Sequence, residues 1–326
     1  MGQAIRVHAA ISRYACAAIQ HLVIGFALLL IASGAPIADA NAQSKNNRPA
    51  GVKSDVRADV PGDDIFGFTS PTDVGDKGDL GFANELSGFR GKRDGSFLWL
   101  SNKLELGYTF ADNWWVAGSA LVGNYRIHNV AQLADRDATT IDAAGFEIKH
   151  RIIERSHSNP FAVTLGLESY RTFTDIAGET GRRADGYVAV VKVYSDAVLV
   201  ADKVFWAANA LWLPARQQSP DDRSVWLKGS GSSLSSALTF QPASNVYLGA
   251  EIRHLGAFNG MFVSKRAGYA YYLGPTLLWK IADKVALNAT WQPQIAGRSI
   301  DHPALRYDLD HFERTQFRFK LAVGLN

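Results

Sequence analysis

The chain has 326 residues, of which 47% are hydrophobic and 20% are charged, and its formal net charge is +3. A charge so close to balance excludes the basic footprint that nucleic acid requires. The single cysteine, Cys16, excludes a disulfide scaffold and leaves the chain beyond it without a thiol nucleophile or a thiolate metal site.

Residues 1–42 have the pattern of a secretory signal peptide. Arg6 and Arg13 are followed by the apolar run LVIGFALLLIASG and then by the small residues of ADANAQ. The apolar run is shorter than the roughly 20 residues of a membrane-spanning helix. We expect cleavage after Ala42, or alternatively after Ala40; cleavage after Ala42 removes two arginines and one aspartate and leaves a net charge of +2.

Residues 43–77 are polar and rich in Asp, Gly and Pro, which predicts a flexible periplasmic segment. The run Ile65–Phe68 is the apolar exception, and such a knot can dock on another surface. The aspartates of this region do not have the D-x-[DN]-x-[DN]-G spacing of a calcium loop, so we expect no metal site there. They are Asp63, Asp64, Asp73, Asp76 and Asp79.

From residue 78 to residue 326 the sequence consists of segments in which apolar and polar residues alternate, as in β-strands. Their length suits tilted strands that cross a bilayer. Eight are clear: Leu98–Phe110, Ala144–Ile153, Phe161–Thr172, Tyr187–Ser195, Val246–Arg253, Tyr269–Ile281, Val285–Gln292 and Thr315–Leu325. Four are weaker: Asp79–Arg90, Trp114–Tyr125, Val204–Leu213 and Val225–Phe240.

The connections between these segments alternate between short and long. Short turns are predicted at 111–113, 156–160, 200–203, 241–245 and 282–284, and longer connections at 128–140, 173–184, 214–224, 256–266 and 296–312. Short periplasmic turns and longer outer loops are typical of an outer-membrane barrel. We therefore predict an all-β fold, a transmembrane antiparallel up-and-down β-barrel of about 12 strands that follows a cleaved signal peptide.

The two faces of the predicted strands differ in polarity. In the last strand, Phe317, Phe319 and Leu321 alternate with Arg318 and Lys320. An apolar exterior around a polar interior explains this alternation, although a soluble sandwich has the same period. The tryptophans lie near predicted strand ends, as in the aromatic belts of membrane proteins, but Trp99 and Trp226 share the parity of charged residues, which indicates inward side chains or bulges.

The signal peptide, the strand pattern and the closing FRFKLAVGL segment resemble Gram-negative outer-membrane β-barrel proteins, and FGFTSPTDVGDKGD resembles an alphaproteobacterial outer-membrane family. The resemblance implies a bacterial outer-membrane location and contact with outer-membrane lipid and lipopolysaccharide. It also implies recognition of the last strand by the barrel assembly machinery. That strand departs from the family pattern, because it ends in Leu325-Asn326 and not in an aromatic residue.

Two groups of residues are candidates for barrel-enzyme chemistry. His157 and Ser158 suggest the pair of an outer-membrane phospholipase, but adjacent residues on a strand face opposite sides. Asp308, Asp310 and His311 suggest an omptin-type protease, but no second acidic pair accompanies them. We therefore expect a non-enzymatic protein, with no cofactor and no metal.

The lumen is the remaining candidate site. Strand parity places ten charged residues on the inward face near mid-barrel: Lys103, Glu105, Glu147, Lys149, Glu168, Lys192, Glu251, Arg253, Arg318 and Lys320. Rings of charge set the selectivity of pores, and six basic against four acidic residues favour anions. Alternatively the charges pair and close the lumen, for example Lys149 with Glu168 on adjacent strands.

Four hypotheses follow. The leading one is a narrow porin-like channel for small polar or anionic solutes. The second is a structural or surface-interaction barrel with a closed lumen, the third is a barrel hydrolase acting on lipid or peptide, and the fourth is a soluble secreted sandwich.

Overall fold

The structure is a computed structural model that describes residues 64–156, 159–176 and 178–325. The predicted signal peptide, Cys16, residues 43–63 and the candidate pair His157 and Ser158 lie outside the described residues. Among the residues that are described, no helix is long and apolar enough to cross a membrane.

Twelve strands, β1 to β12, follow one another along the described chain, and each overlaps one predicted segment. Most are longer than predicted, because their outer ends extend into the regions assigned to loops. Their bounds are Leu80–Arg90, Ser96–Ala111, Trp114–His128, Arg136–Ile153, Phe161–Thr174, Arg183–Val200, Val204–Gln218, Trp226–Ala243, Val246–Asn259, Arg266–Ala282, Val285–Ser299 and Thr315–Gly324.

The strands form one closed antiparallel barrel in which each pairs with its neighbours in sequence. Closure comes from β1 and β12, which pair from Gly81 opposite Gly324 to Arg90 opposite Thr315. A closed sheet has no free edge, which satisfies the backbone groups within a bilayer. The predicted barrel is therefore confirmed, and the soluble sandwich is excluded.

One end of the barrel carries short turns, which we call the short-turn end. The turn from β2 to β3 contains only Asp112 and Asn113, and the turn from β6 to β7 contains 201–203. Asn113 and Asp202 adopt positive φ angles of 65° and 56°. Asn and Asp tolerate this left-handed conformation better than most residues, which suits Asn113 and Asp202 to these two turns.

The outer wall of the barrel is apolar. Leu167 on β5, Leu248 on β9 and Phe319 on β12 are each about half exposed, while the alternate residues of these strands are buried. Trp279 is exposed on this wall near the end of β10, as expected for an aromatic belt. Trp291 is also exposed, but it lies in the middle of β11, because this strand extends beyond its predicted end. Such a wall is suited to lipid, in agreement with a transmembrane barrel.

A charge on this wall is expected to destabilise the barrel. Leu167 is 49% exposed and lies near the middle of β5. We expect Leu167→Arg to lower the free energy of unfolding in lipid vesicles by about 2–4 kcal/mol, because it places a guanidinium near the bilayer centre. Urea titration would measure the loss, with Val225→Arg in an outer connection as the control. Equal effects of the two substitutions would mean that β5 does not face lipid.

Candidate functional site

Residues 64–77, which the sequence predicts as part of a flexible tail, instead form a lumen segment: 64–74 lie inside the barrel, and Asp76 and Lys77 are exposed in the turn that leads into β1. Glu251 on β9 holds this lumen segment. One of its carboxylate oxygens accepts a hydrogen bond from the Phe68 amide at 2.6 Å, and the other accepts one from the Thr69 hydroxyl at 2.6 Å. Gly67 fits here because it lacks a side chain: a Cβ atom would collide with the Glu251 carboxylate and lie 2.7 Å from the Thr276 methyl.

A second carboxylate, Asp196 on β6, holds the lumen segment three strands away from β9. Its Oδ2 accepts hydrogen bonds from the Thr72 amide at 2.7 Å and from the Thr72 hydroxyl at 2.8 Å. Arg155 forms an ion pair with the same buried carboxylate. The Thr72 carbonyl in turn accepts a hydrogen bond from Thr164 on β5 at 2.6 Å. Asp64 and Gly67 contact β12, which lies six strands from β6 around the barrel of twelve, so the segment crosses the lumen.

The basic residues of β12 form a third attachment. Arg318 donates a hydrogen bond to the Gly67 carbonyl and pairs with Glu85 at 3.3 Å. Lys320 forms an ion pair with Asp64. The segment therefore binds charged groups on the lumen face that the sequence assigns to a pore lining.

Apolar packing supplements these polar contacts. Ile65 and Phe66 are fully buried and pack in a cluster with Phe205, Tyr247 and Leu278 on the inner wall. The guanidinium of Arg253 lies 3.7 Å from the centre of the Phe68 ring. The apolar run Ile65–Phe68 is therefore the part of the polar N-terminal region that docks, and its surface is the barrel's own interior.

The other six candidate residues meet at mid-barrel on β2, β4, β5 and β6, in a group that we call the charge cluster: Lys103, Glu105, Glu147, Lys149, Glu168 and Lys192. Lys192 lies 2.6 Å from Glu168 and 2.9 Å from Glu147. Lys103 lies 2.8 Å from Glu105 and 3.2 Å from Glu168. The pairing of Lys103 with Glu168 joins strands that are not neighbours, so these side chains face the lumen.

The predicted pair of Lys149 and Glu168 is not formed. The β4–β5 register places Glu168 opposite Glu147, and Lys149 opposite Gly166. Lys149 instead lies 3.9 Å from Glu147 and 4.3 Å from the centre of the Trp115 ring. Two facing glutamates repel each other, and Lys192 from β6 offsets this repulsion by contacting both.

Oxygen atoms of Glu105, Glu147 and Glu168 lie within 4.8 Å of one another, a spacing that a cation could bridge. Three lysine ammonium groups already neutralise these three carboxylates. The cluster is therefore balanced in charge by the protein itself.

An apolar cluster occupies the lumen beyond the charge cluster. Trp99 is fully buried, stacks on Tyr125 with ring centres 5.5 Å apart, and lies 4.8 Å from the centre of the Phe89 ring. These rings belong to a cluster that also contains Leu121 and Leu213. Trp99 therefore faces inward, as its parity with Lys103 indicated. Trp226 instead stacks on the exposed Tyr187 and faces outward.

Two long connections fold into the outer mouth and are tied together by Lys92. Its ammonium forms ion pairs with Glu313, and with Glu179 at 2.9 Å. Burial is the largest influence on the Glu313 carboxyl and would raise its pKa. The Lys92 charge and the hydrogen bonds with Lys92, Glu179 and Gln316 together outweigh burial and hold that pKa below its usual value. The Tyr272 hydroxyl donates a hydrogen bond to the Glu313 carbonyl at 2.6 Å. Charged and polar contacts therefore bridge the outer mouth.

The protease candidates lie in the same mouth. His311 Nδ1 lies 2.9 Å from the Asp308 carboxylate, and both side chains are at most 1% exposed. Asp308 also accepts hydrogen bonds from the backbone amides of Asp310 and His311. The couple is thus buried and hydrogen-bonded within its own connection.

Sequence parity brought together the ten lumen candidates but missed their partners. Asp196, Glu85 and Arg155 belong to the same site, as do the apolar rings around Trp99. Two features of the sequence indicated that the lumen is occupied. The apolar run Ile65–Phe68 lies within a polar segment, and Trp99 shares the parity of Lys103.

Solved structures of outer-membrane proteins have similar architecture. An outer-membrane channel of the COG4313 group from Pseudomonas putida F1 aligns with a TM-score of 0.51 and 14% identity, over 78% of this chain and 98% of that one. The NanC porin aligns with a TM-score of 0.45 and 11% identity, over 76% of this chain and all of that one. At these identities the similarity concerns the fold alone.

No curated protein sequence is significantly similar to this chain. One family model, described as a family of unknown function (DUF6662), matches residues 58–326, which include the lumen segment and all twelve strands. The chain therefore belongs to the DUF6662 family.

Proposed function

We propose that this protein is a narrow porin-like channel of the bacterial outer membrane for small polar or anionic solutes, with the lumen segment as its removable constriction. The observation that carries the proposal is the manner of attachment. The segment crosses the lumen as a non-strand stretch held by side chains, so it can leave without breaking a barrel strand pair.

The preference for anions rests on the least buried charges of the lumen. Lys149 and Lys320 are 18% exposed, Glu105 is 14% exposed and Lys103 is 12% exposed, whereas Glu168 is 3% exposed. Asp64, the partner of Lys320, is also 12% exposed, so three of these five accessible charges are positive and two are negative. A solute that reaches this part of the lumen therefore meets a net positive wall, which favours anions.

A structural barrel with a closed lumen is the second candidate. The apolar cluster around Trp99 and the infolded outer connections favour it, because both fill the outer half of the lumen. We propose no catalytic role, since the buried Asp308–His311 couple has no access to substrate. The kinship with an alphaproteobacterial family and assembly by the barrel assembly machinery stay predictions.

Single-channel recording tests the proposal. We expect residues 43–326 in planar bilayers to give small or brief current steps, and a chain that starts at residue 79 to give larger and longer ones, because the constriction is gone. Under a salt gradient the current of the shorter chain should favour anions. A control chain that starts at residue 58 keeps the lumen segment and should behave like the longer one. If the chains that start at residues 43 and 79 both fold but neither conducts current, the result would support the barrel with a closed lumen.

A further inference from the structure

The outer wall carries a row of basic side chains that the channel does not use. The strand registers place Arg171 opposite Tyr187, Tyr187 opposite Arg216, and Arg216 opposite Lys228. Four neighbouring strands, β5 to β8, thus present one continuous row, which we call the basic row. Residues in direct register have Cβ atoms about 4.5–5.5 Å apart, so one ligand can contact several of them.

The basic row faces the membrane side of the wall. Tyr187 is 53% exposed and shares its parity with the exposed Val191. Lys228 is exposed and shares its parity with the exposed Leu234 on β8. Four residues separate Tyr187 from Val191, which corresponds to about 13 Å along a strand. The row therefore lies above the apolar band, at the end of the barrel with the longer connections.

Aromatic rings place this row at the membrane interface. Trp226 stacks on Tyr187, the Arg216 guanidinium lies 4.7 Å from the centre of the Trp226 ring, and the Arg171 guanidinium lies 4.8 Å from that of Tyr187. Tryptophan and tyrosine concentrate at the level of lipid headgroups. Their stacking also fixes the two guanidinium groups in place.

The charge of the row is only partly neutralised by the protein. Asp185 pairs with Arg171 at 3.1 Å and with Arg223 at 2.9 Å. In the part of the chain that the structure describes, no carboxylate pairs with Arg216 or Lys228. An arginine and a lysine side by side at headgroup level, with a net positive charge, suit a phosphate group.

We propose that the basic row binds a phosphorylated lipid headgroup of the outer leaflet, of the lipid A type, through Arg216 and Lys228. The acyl chains of this lipid lie along the apolar wall below the row, formed by Leu167, Val191 and Leu234. The site is independent of the lumen, so it does not depend on whether the barrel conducts.

Lipid retention tests this proposal. Full mature protein in detergent would be mixed with bisphosphorylated lipid A, and the bound lipid counted by native mass spectrometry and titrated by fluorescence. We expect Arg216→Glu/Lys228→Glu to weaken binding by about tenfold or more, because it removes two cations at headgroup level and adds two negative charges. Arg126→Glu, which reverses an exposed arginine near the outer end of β3, is the matched control and should bind like the unchanged protein.

Further arms identify the ligand chemistry. Dephosphorylated lipid A should bind as weakly as the double variant, and inorganic phosphate should not compete at matched concentration. If charge reversal prevents folding, Arg216→Gln/Lys228→Gln replaces the glutamate variant in the test. Its folding is checked by heat-modifiable migration in gel electrophoresis. Equal lipid A binding by the glutamine variant, the control and the unchanged protein would overturn the proposal. So would equal binding of the dephosphorylated lipid, since contact would then be purely apolar.

Discussion

Removal of the two carboxylates that hold the lumen segment will release the segment from the barrel. Glu251→Ala/Asp196→Ala eliminates four hydrogen bonds from Phe68, Thr69 and Thr72. Hydrogen bonds to charged groups contribute about 1.5–3 kcal/mol each, so this variant loses a large share of the attachment. Only the contacts with β12 and Thr164 and the apolar packing then remain to hold the segment. We expect the seated segment to become a minor population in this variant.

Thiol labelling measures this release. Ile65→Cys introduces the only cysteine of a chain that starts at residue 43, at a position that is fully buried. A hydrophilic maleimide should label this position at least about tenfold faster in the double variant, given the hydrogen-bond energies lost. Asp137→Ala/Asp185→Ala removes two carboxylates outside the lumen and should leave the rate unchanged. An unchanged rate in the Glu251 and Asp196 variant would show that these carboxylates do not retain the segment.

Loss of the central lysine of the charge cluster will destabilise the barrel strongly. Lys192 is the group that contacts both Glu147 and Glu168, which face each other across β4 and β5. Lys192→Met leaves a buried carboxylate pair with reduced compensation, and removal of one partner from a buried ion pair typically costs about 3–5 kcal/mol. We expect the urea midpoint in lipid vesicles to fall accordingly.

The control and the rescue separate charge from packing. Lys265→Met, in an exposed outer connection, should change stability by less than about 0.5 kcal/mol. Lys192→Met/Glu147→Gln should recover part of the loss, because it removes one of the two facing charges. A loss below about 1 kcal/mol for Lys192→Met would be typical of exposed ion pairs and would mean that water fills this part of the lumen.

The barrel could be predicted from the sequence because its signals are local. Alternation along Thr315–Gly324 and the short ADN and ADK turns each depend on a few adjacent residues. The strand ends were predicted less well. Arg136–Ile153 begins eight residues before the predicted start, because its outer part alternates polar and small residues that resemble a loop.

The contents of the lumen could not be predicted in the same way. The alternation along β5 predicts that Glu168 faces inward. Its partners, however, depend on the register of β4 and β5, which places Glu168 opposite Glu147. The attachment of Phe68 to Glu251 joins residues 183 positions apart, and no local pattern encodes such a contact. Composition also misled, because the aspartates and glycines typical of a flexible tail here provide hydrogen-bonding groups and close approach inside a barrel.

The attachment of the lumen segment to β12 makes the two ends of the described chain one cooperative unit. β12 is the last strand of the described chain, and its Arg318 and Lys320 contact Gly67 and Asp64, which precede the first strand. Bringing together ends that are about 250 residues apart costs on the order of 5 kcal/mol in chain entropy. Pairing of β1 with β12 and binding of the lumen segment both require these ends to meet, so the chain entropy is lost only once. Each of the two events therefore favours the other during folding. We therefore expect closure of the barrel and binding of the lumen segment to occur together, late in folding.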